Sequence, residues 1–172
     1  VKENVLITRG SQMGIYLASQ LIVSNDGEVI LGKTNYKSAN DTFMEMSANL
    51  NKVDVDENGL NTHQIEEICK LKRIDAVYVT SHHHHPTTVA LSPERRMHLL
   101  DLANTYKFAI IEDDYAYDFH YSNAPIMPLI SNDLYGNVIY IGSLSKTIAP
   151  AIRIGYLIAT KDFVKEAAQY RR

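Results

Sequence analysis

The sequence has little of what disulfide scaffolds, membrane proteins and cysteine-rich metal sites require. It contains one cysteine, Cys69, and no tryptophan. One cysteine excludes an internal disulfide and fits a reducing, cytoplasmic setting. The amphipathic surroundings of Cys69 predict that it is a small buried apolar residue. No apolar run approaches the roughly 20 residues of a transmembrane helix, and the start of the chain does not resemble a signal peptide. We therefore expect no membrane partner.

The chain also lacks a large excess of either positive or negative charge. The formal net charge of −3 argues against broad electrostatic binding to nucleic acid. The 172 residues, 45% hydrophobic and 22% charged, are typical of a globular domain with a sizeable core. The chain opens on Val1 rather than methionine and ends on Arg172 within an unfinished helical pattern. We therefore expect a segment of a longer protein.

Short apolar runs alternate with amphipathic stretches. After an apolar opening that ends near Thr8, the strand-like runs are residues 29–31, 53–55, 76–79, 108–111, 138–141 and 154–158. The helical patterns cover residues 11–23, 39–48, 62–71, 92–106 and the chain from Phe163 onward. This alternation predicts a doubly wound, mostly parallel α/β sheet with helices on both faces. Ligands of such sheets bind beyond the carboxyl ends of the strands.

The helical pattern at residues 92–106 has the clearest start. Ser92 suits the N-cap and Pro93 suits the first turn. The apolar residues of this stretch are predicted to face inward, namely Met97, Leu99, Leu100 and Ala103.

Several residues that follow the strands suit a phosphorylated aromatic ligand. Gly10 and Ser11 open a helix whose N–H groups suit a phosphate, although a plain N-cap also explains Ser11. Tyr36 either stacks on a flat ligand or packs against the protein. Three acids follow the strand-like run at residues 108–111, namely Glu112, Asp113 and Asp114. Burying such acids is costly unless they are solvated or paired with a cation. The last group consists of Ser143, Lys146 and Arg153. These residues either form an anion-binding site or lie on the solvated surface.

The histidine run at residues 82–85 is a weak metal signal. Consecutive residues of an extended chain point to alternating sides, so at most two of these histidines share one site. No acidic or cysteine partner lies nearby in sequence. We therefore predict no metal site.

Together, the strand ends supply a phosphate cradle, an aromatic ring, an acid, a lysine and an arginine. At this point the sequence resembles the fold-type-I pyridoxal-phosphate (PLP) enzymes, the class I/II aminotransferases. It is most similar to the aminotransferase-like region of MocR-type proteins, which follows a GntR-type winged-helix domain. The resemblance rests on four stretches in family order, TRGSQMGIYLASQ, TSHHHHPTT, AIIEDDYAYDFHY and YIGSLSKTIAPAIRIGY.

The resemblance implies a fold and a set of residue roles. The fold is the three-layer α/β/α large domain of the aspartate-aminotransferase fold, with residues 1–172 forming part of that PLP-binding domain. Lys146 would form the Schiff base, Asp113 would bond the pyridine nitrogen and Tyr115 the phenolic oxygen, and Tyr36 would stack on the ring. The phosphate ligands would be Ser11, Gln12, Ser143 and Arg153.

One motif departs from the related enzymes. Where they usually carry Asn-Pro-Thr-Gly, this chain has His85-Pro86-Thr87-Thr88. His85 remains a candidate donor to the ring oxygen. The resemblance also implies a cis peptide bond between His85 and Pro86.

The implied function is transamination between an amino acid and a 2-oxo acid, by a cytoplasmic homodimer. The arginine that binds the substrate carboxylate belongs to a C-terminal small domain, and an N-terminal segment completes the partner's site. Both are expected outside this chain, which is therefore expected to be inactive alone. The alternative is the effector-sensing PLP domain of a MocR-type transcription regulator, which would contact DNA only through an upstream winged-helix domain.

Overall fold

Strands and helices alternate along the described residues of the computed structural model, 2–115, 126–144 and 153–171. A seven-stranded sheet accounts for most of the strands, and a small hairpin for the other two. The strands are β1 (Val5–Thr8), β2 (Glu28–Gly32), β3 (Asn49–Val53), β4 (Val55–Asp56), β5 (Gly59–Leu60), β6 (Ala76–Val79), β7 (Ala109–Asp114), β8 (Val138–Ser143) and β9 (Gly155–Ile158). The helices are α1 (Ser11–Ile22), α2 (Lys37–Glu45), α3 (Thr62–Leu71), α4 (Pro93–Tyr106) and α5 (Lys161–Tyr170).

The strand order of the sheet is β1-β9-β8-β7-β6-β2-β3. Five neighbouring strands from β8 to β3 pair in parallel, whereas β9 is antiparallel to both β1 and β8. Thr8 and Ser143 therefore both stand opposite Gly155, the first residue of β9. The carboxyl ends of β1, β7 and β8 and the start of β9 meet at one edge.

Helices cover both faces of this sheet, which confirms the predicted three-layer α/β/α arrangement. Along β2, Val29 and Leu31 join the core beneath α1, α2 and α5, while Ile30 joins the core beneath α3 and α4. This alternation follows from the period of two in a strand. Since the strands bury both faces, they read in sequence as short continuous apolar runs.

Helix starts follow the capping residues. The Ser92 side chain accepts a hydrogen bond from the Arg95 backbone N–H at 3.3 Å, as predicted for the start of α4. Asn61 caps α3 in the same way. In contrast, the N-cap residue of α1 is Gly10, which has no side chain to occupy the first N–H groups.

Some local predictions are wrong. The strand predicted at residues 53–55 ends at Val53, because the polar stretch 49–52 pairs with β2 and Val55 belongs to the hairpin. Met97, predicted to face inward, is 51% exposed, whereas Leu99, Leu100 and Ala103 are buried. The strand predicted at residues 108–111 continues through Asp114.

The prediction for Cys69 is confirmed. Its side chain is buried in the core beneath α3 and α4. Burial raises the pKa of its thiol to about 11, so the group is an inert apolar filler near neutral pH.

Candidate functional site

A cavity of about 330 Å³ opens at the edge of the sheet where β1, β7 and β8 end. It is lined by Arg9, Gly10, Ser11, Gln12, Tyr36, His85, Asp113, Tyr115, Ser143 and Arg153. Eight of the nine sequence-predicted site residues are in this lining. The ninth, Lys146, lies outside the described residues.

The N-terminus of α1 forms one end of the cavity. Gly10 has a φ of +78°, a conformation that side chains rarely adopt, and no described heavy atom lies within 4 Å of where its Cβ would be. Among the described residues, no side chain caps the first backbone N–H groups of α1. Such a helix terminus attracts anions, because its N–H groups and its dipole both favour negative charge.

Gly155 holds this terminus in place from β9. A Cβ on Gly155 would lie 2.6 Å from the Gly10 carbonyl carbon and 2.9 Å from the Ser11 nitrogen. Only glycine allows the two backbones to approach so closely. Sequence reasoning missed this residue, although a glycine at the start of a strand can indicate close backbone contact.

Asp113 is the acid that faces the cavity. It is 3% exposed, and the Tyr78 hydroxyl donates to its Oδ2 at 2.7 Å. Burial, and then the charge of Asp113, raise the pKa of Tyr78 well above its usual value, so Tyr78 remains a hydrogen-bond donor. Tyr78 was missed by the sequence analysis because it lies within an apolar strand.

The neighbours of Asp113 in β7 have different partners. Glu112 is fully buried and accepts hydrogen bonds from Ser81 and from the Leu129 backbone N–H. Burial raises the pKa of Glu112. Arg96, also buried, donates to three backbone carbonyls, those of Ser81, Leu91 and Met127. These acids are therefore buried and paired rather than solvated, because the chain remains a central strand there.

The histidine run is occupied by structural contacts. His82 Nδ1 lies 2.8 Å from Asp114 Oδ2, and the Tyr140 hydroxyl donates to the same carboxylate at 3.0 Å. Burial lowers the pKa of His82, but the hydrogen bond and charge of Asp114 outweigh it and raise the pKa overall. His84 Nε2 contacts the Thr34 carbonyl at 2.9 Å.

Aromatic rings form the wall of the cavity. The His85 ring lies edge-on to Tyr36 and to Tyr115, with ring centroids 5.6 Å and 6.4 Å away. The peptide bond between His85 and Pro86 is cis, as predicted. The Tyr115 hydroxyl donates to the His83 carbonyl at 2.8 Å, and burial raises the pKa of Tyr115.

Cationic and hydroxyl groups complete the lining. Ser143 ends β8, and Arg153 precedes β9 with a φ of +49°, in the left-handed region. Such a backbone conformation is unfavourable for arginine and persists only where the surroundings impose it. Gln12 is fixed by a hydrogen bond of 2.7 Å from its Nε2 to Thr42 Oγ1. With Arg9, the lining includes two arginines.

Comparisons with known proteins agree with this arrangement. The family model described as aminotransferase class I and II matches residues 1–172. The chain is 35% identical to the HTH-type transcriptional regulator TauR of Rhodobacter capsulatus, over 95% of this chain and 33% of that protein. It is 29% identical to aromatic-amino-acid aminotransferase 1 of Thermococcus litoralis, over 96% of this chain and 41% of that protein.

Solved structures give the same picture. A kynurenine aminotransferase from Pyrococcus horikoshii, solved in complex with PMP, superposes with a TM-score of 0.91 and 28% identity. The match covers 95% of this chain and 42% of that one. The chain thus spans less than half the length of these relatives. Among the described residues, no helix has the length and apolar character needed to cross a bilayer.

Proposed function

Because the chain belongs to the aminotransferase class I and II family, we propose that its cavity binds pyridoxal phosphate and that the full-length protein transfers amino groups. The substrates would be an amino acid and a 2-oxo acid. The observation that carries the proposal is the meeting, in one cavity, of an open helix N-terminus, a buried carboxylate and aromatic rings. The cavity volume lies in the range of small-molecule sites, about 300–1,000 Å³.

The lining fits the chemical groups of this cofactor. A phosphate dianion suits the N-terminus of α1, with Ser11, Gln12, Ser143 and Arg153 as its proposed ligands. The open space at Gly10 leaves room for phosphate oxygens. Tyr36 is 37% exposed and presents an aromatic face for a flat ring. His85 and Tyr115 are the proposed donors to a ring oxygen, for which the Tyr115 hydroxyl would exchange its hydrogen bond to the His83 carbonyl.

When bound, the cofactor supplies an aldehyde carbon that takes up an amino group and a ring that accepts electrons. Asp113 would hold a proton at the ring nitrogen, because a buried carboxylate stabilises a cation beside it. Lys146 would attach the cofactor and, once released, carry a proton from the substrate Cα as a general base. The hydrogen bond from Tyr78 would keep Asp113 oriented during these steps.

The remaining parts of the reaction are proposed to lie elsewhere in the full-length protein. Residues 1–172 would be part of the large domain, and a small domain would bind the substrate carboxylate. A second subunit of a cytoplasmic homodimer would complete the site. Turnover is therefore to be measured on the full-length protein, whereas cofactor binding is testable on this chain.

The proposal is tested by adding pyridoxal phosphate to the cofactor-free chain. We expect saturable binding at one site per chain and a visible absorption band that differs from that of the cofactor in solution. Amino acids added one at a time to the full-length protein should change that band, and the one that acts fastest identifies the substrate class. If the chain bound no cofactor, and the full-length protein bound none either, the proposal would be wrong.

The second candidate function is effector sensing in a transcription regulator. It is favoured by the 35% identity to TauR across 95% of the chain. A winged-helix sequence before Val1 in the full-length protein would support it. In that case, amino acids would alter DNA affinity in the presence of pyridoxal phosphate, whereas an enzyme would release a 2-oxo acid with no effect on DNA.

Replacing Gly155 by alanine is expected to displace the proposed phosphate cradle. The new Cβ would clash with backbone atoms of Gly10 and Ser11. Relieving this clash requires the first turn of α1 to shift. We expect a loss of about 1–3 kcal/mol in the free energy of unfolding. We also expect cofactor affinity to fall about tenfold or more, the equivalent of one charge-assisted hydrogen bond.

Urea unfolding and cofactor titration measure the two effects separately. Gly27→Ala is a matched control, since its Cβ would lie 2.2 Å from Asp75 Oδ2, away from the cavity lining. That variant should lose stability but keep its affinity for pyridoxal phosphate. Equal affinity in both variants would show that Gly155 does not position the cradle.

A further inference from the structure

A second group of side chains lies outside this cavity, between α3 and α4. His63 and Glu66 are three residues apart on α3, which places them on one face of that helix. His98 reaches them from α4, and the two imidazole ring centroids are 5.0 Å apart. One ligand atom from each of the three residues lies within 4.8 Å of the others.

We propose that His63, Glu66 and His98 bind a divalent transition-metal ion such as Zn²⁺, which links α3 to α4. Two imidazoles and a carboxylate are a ligand set that such ions accept, with a water molecule in the fourth position. Metal–ligand bonds of about 2.0–2.1 Å place tetrahedral ligand atoms about 3.3 Å apart. His98 Nε2 and Glu66 Oε2 already lie 3.6 Å apart.

The surroundings orient His98 for this role. Its Nδ1 is 2.9 Å from the hydroxyl oxygen of Thr62, a buried residue at the start of α3. When Nδ1–H donates to that hydroxyl, Nε2 keeps its lone pair and is directed toward Glu66. A second hydrogen bond of this kind is the usual support of a metal-binding histidine.

Nearby positive charges are already paired. Arg95 lines the hollow beside His63 and His98, but its guanidinium binds Asp56 through two contacts of 2.7 Å. Lys70 lies 3.5 Å from Glu66 Oε1 and closer, at 2.7 Å, to Glu67. Glu66 Oε2 is therefore available on the side of the histidines. His63 is exposed, so that an ion and its water ligand can reach the site from solvent.

The test is titration of the untagged, full-length protein with Zn²⁺ alone, followed by calorimetry. We expect one ion per chain and a rise in the unfolding temperature. His63→Ala and Glu66→Gln should each weaken binding at least about tenfold, because each removes a ligand. Asp101→Asn, an exposed acid on α4, is the matched control and should bind as the parent protein does.

The spectrum of bound Co²⁺ gives a second measurement. An intense visible absorption would indicate tetrahedral coordination, and it should be lost in His63→Ala. Because His63 is exposed, His63→Ala is expected to fold normally. It therefore tests the site without the risk that replacing the less exposed His98 unfolds the protein. The proposal fails if no Zn²⁺ binds saturably. It also fails if His63→Ala and Glu66→Gln bind Zn²⁺ as tightly as the parent protein, which is the result expected if the ion binds at residues 82–85 instead.

Discussion

Replacing Lys146 by alanine is expected to abolish covalent attachment of pyridoxal phosphate and to slow transamination by about 10²–10⁴-fold, the contribution of a positioned general base. The described lining of the cavity contains two arginines and no lysine. In sequence, Lys146 follows Ser143, a lining residue, by three positions. It is therefore the lysine that we expect to reach the cofactor aldehyde.

Borohydride reduction followed by mass spectrometry measures this attachment. In the parent protein the cofactor should be fixed to the peptide that contains Lys146, and in Lys146→Ala no peptide should carry it. Reversible binding should persist, since the phosphate cradle is unchanged. Lys165→Ala, at an exposed position of α5, is the matched control and should be labelled normally. Labelling of a different lysine in Lys146→Ala, at the parent's yield, would disprove the assignment.

Replacing Asp113 by asparagine is expected to slow the reaction with an amino acid on the order of 10²–10³-fold, as removal of one preorganised electrostatic group does. Asparagine has nearly the same shape and can still accept the hydrogen bond from Tyr78. It lacks the negative charge that would hold a proton on the ring nitrogen. Cofactor affinity should change much less than rate, because the phosphate ligands remain.

Single-turnover rates in the full-length protein, with the cofactor band as signal, measure this effect. Asp162→Asn, an exposed acid at the start of α5, is the control and should react at the parent rate. The pH dependence adds a readout that a structural role would not change, since the ring nitrogen should titrate at lower pH in Asp113→Asn. An unchanged rate and an unchanged titration would remove Asp113 from its proposed role.

Several features of the site were predictable from the chain alone. The apolar runs of β2, β6 and β8, the N-cap of α4 and the start of α1 at Ser11 all follow from local patterns. In a parallel sheet, the residues that follow the strands meet at one edge. This is why residues from separate stretches of sequence could be expected in one place. The resemblance completed the set, and eight of its members, from six stretches, line one cavity.

Other features depend on partners that are distant in sequence. Three consecutive acids look equivalent in the chain, but the period of a strand directs Asp113 toward the cavity and Glu112 away from it. The sequence analysis examined residues 82–85 for metal binding and overlooked the His-x-x-Glu spacing of His63 and Glu66. Their third member, His98, lies on another helix, 32 positions beyond Glu66.

The sequence by itself determined the alternation of strands and helices, and therefore the edge of the sheet where the cavity lies, because hydrophobic period and capping are local properties. The tertiary structure alone decided the antiparallel direction of β9, the contact of Gly155 with Gly10 and the partner of each buried acid. These depend on which surfaces of the folded chain bury one another. These arrangements are stabilised by contacts between residues far apart in sequence, and no local sequence pattern contains information about such contacts.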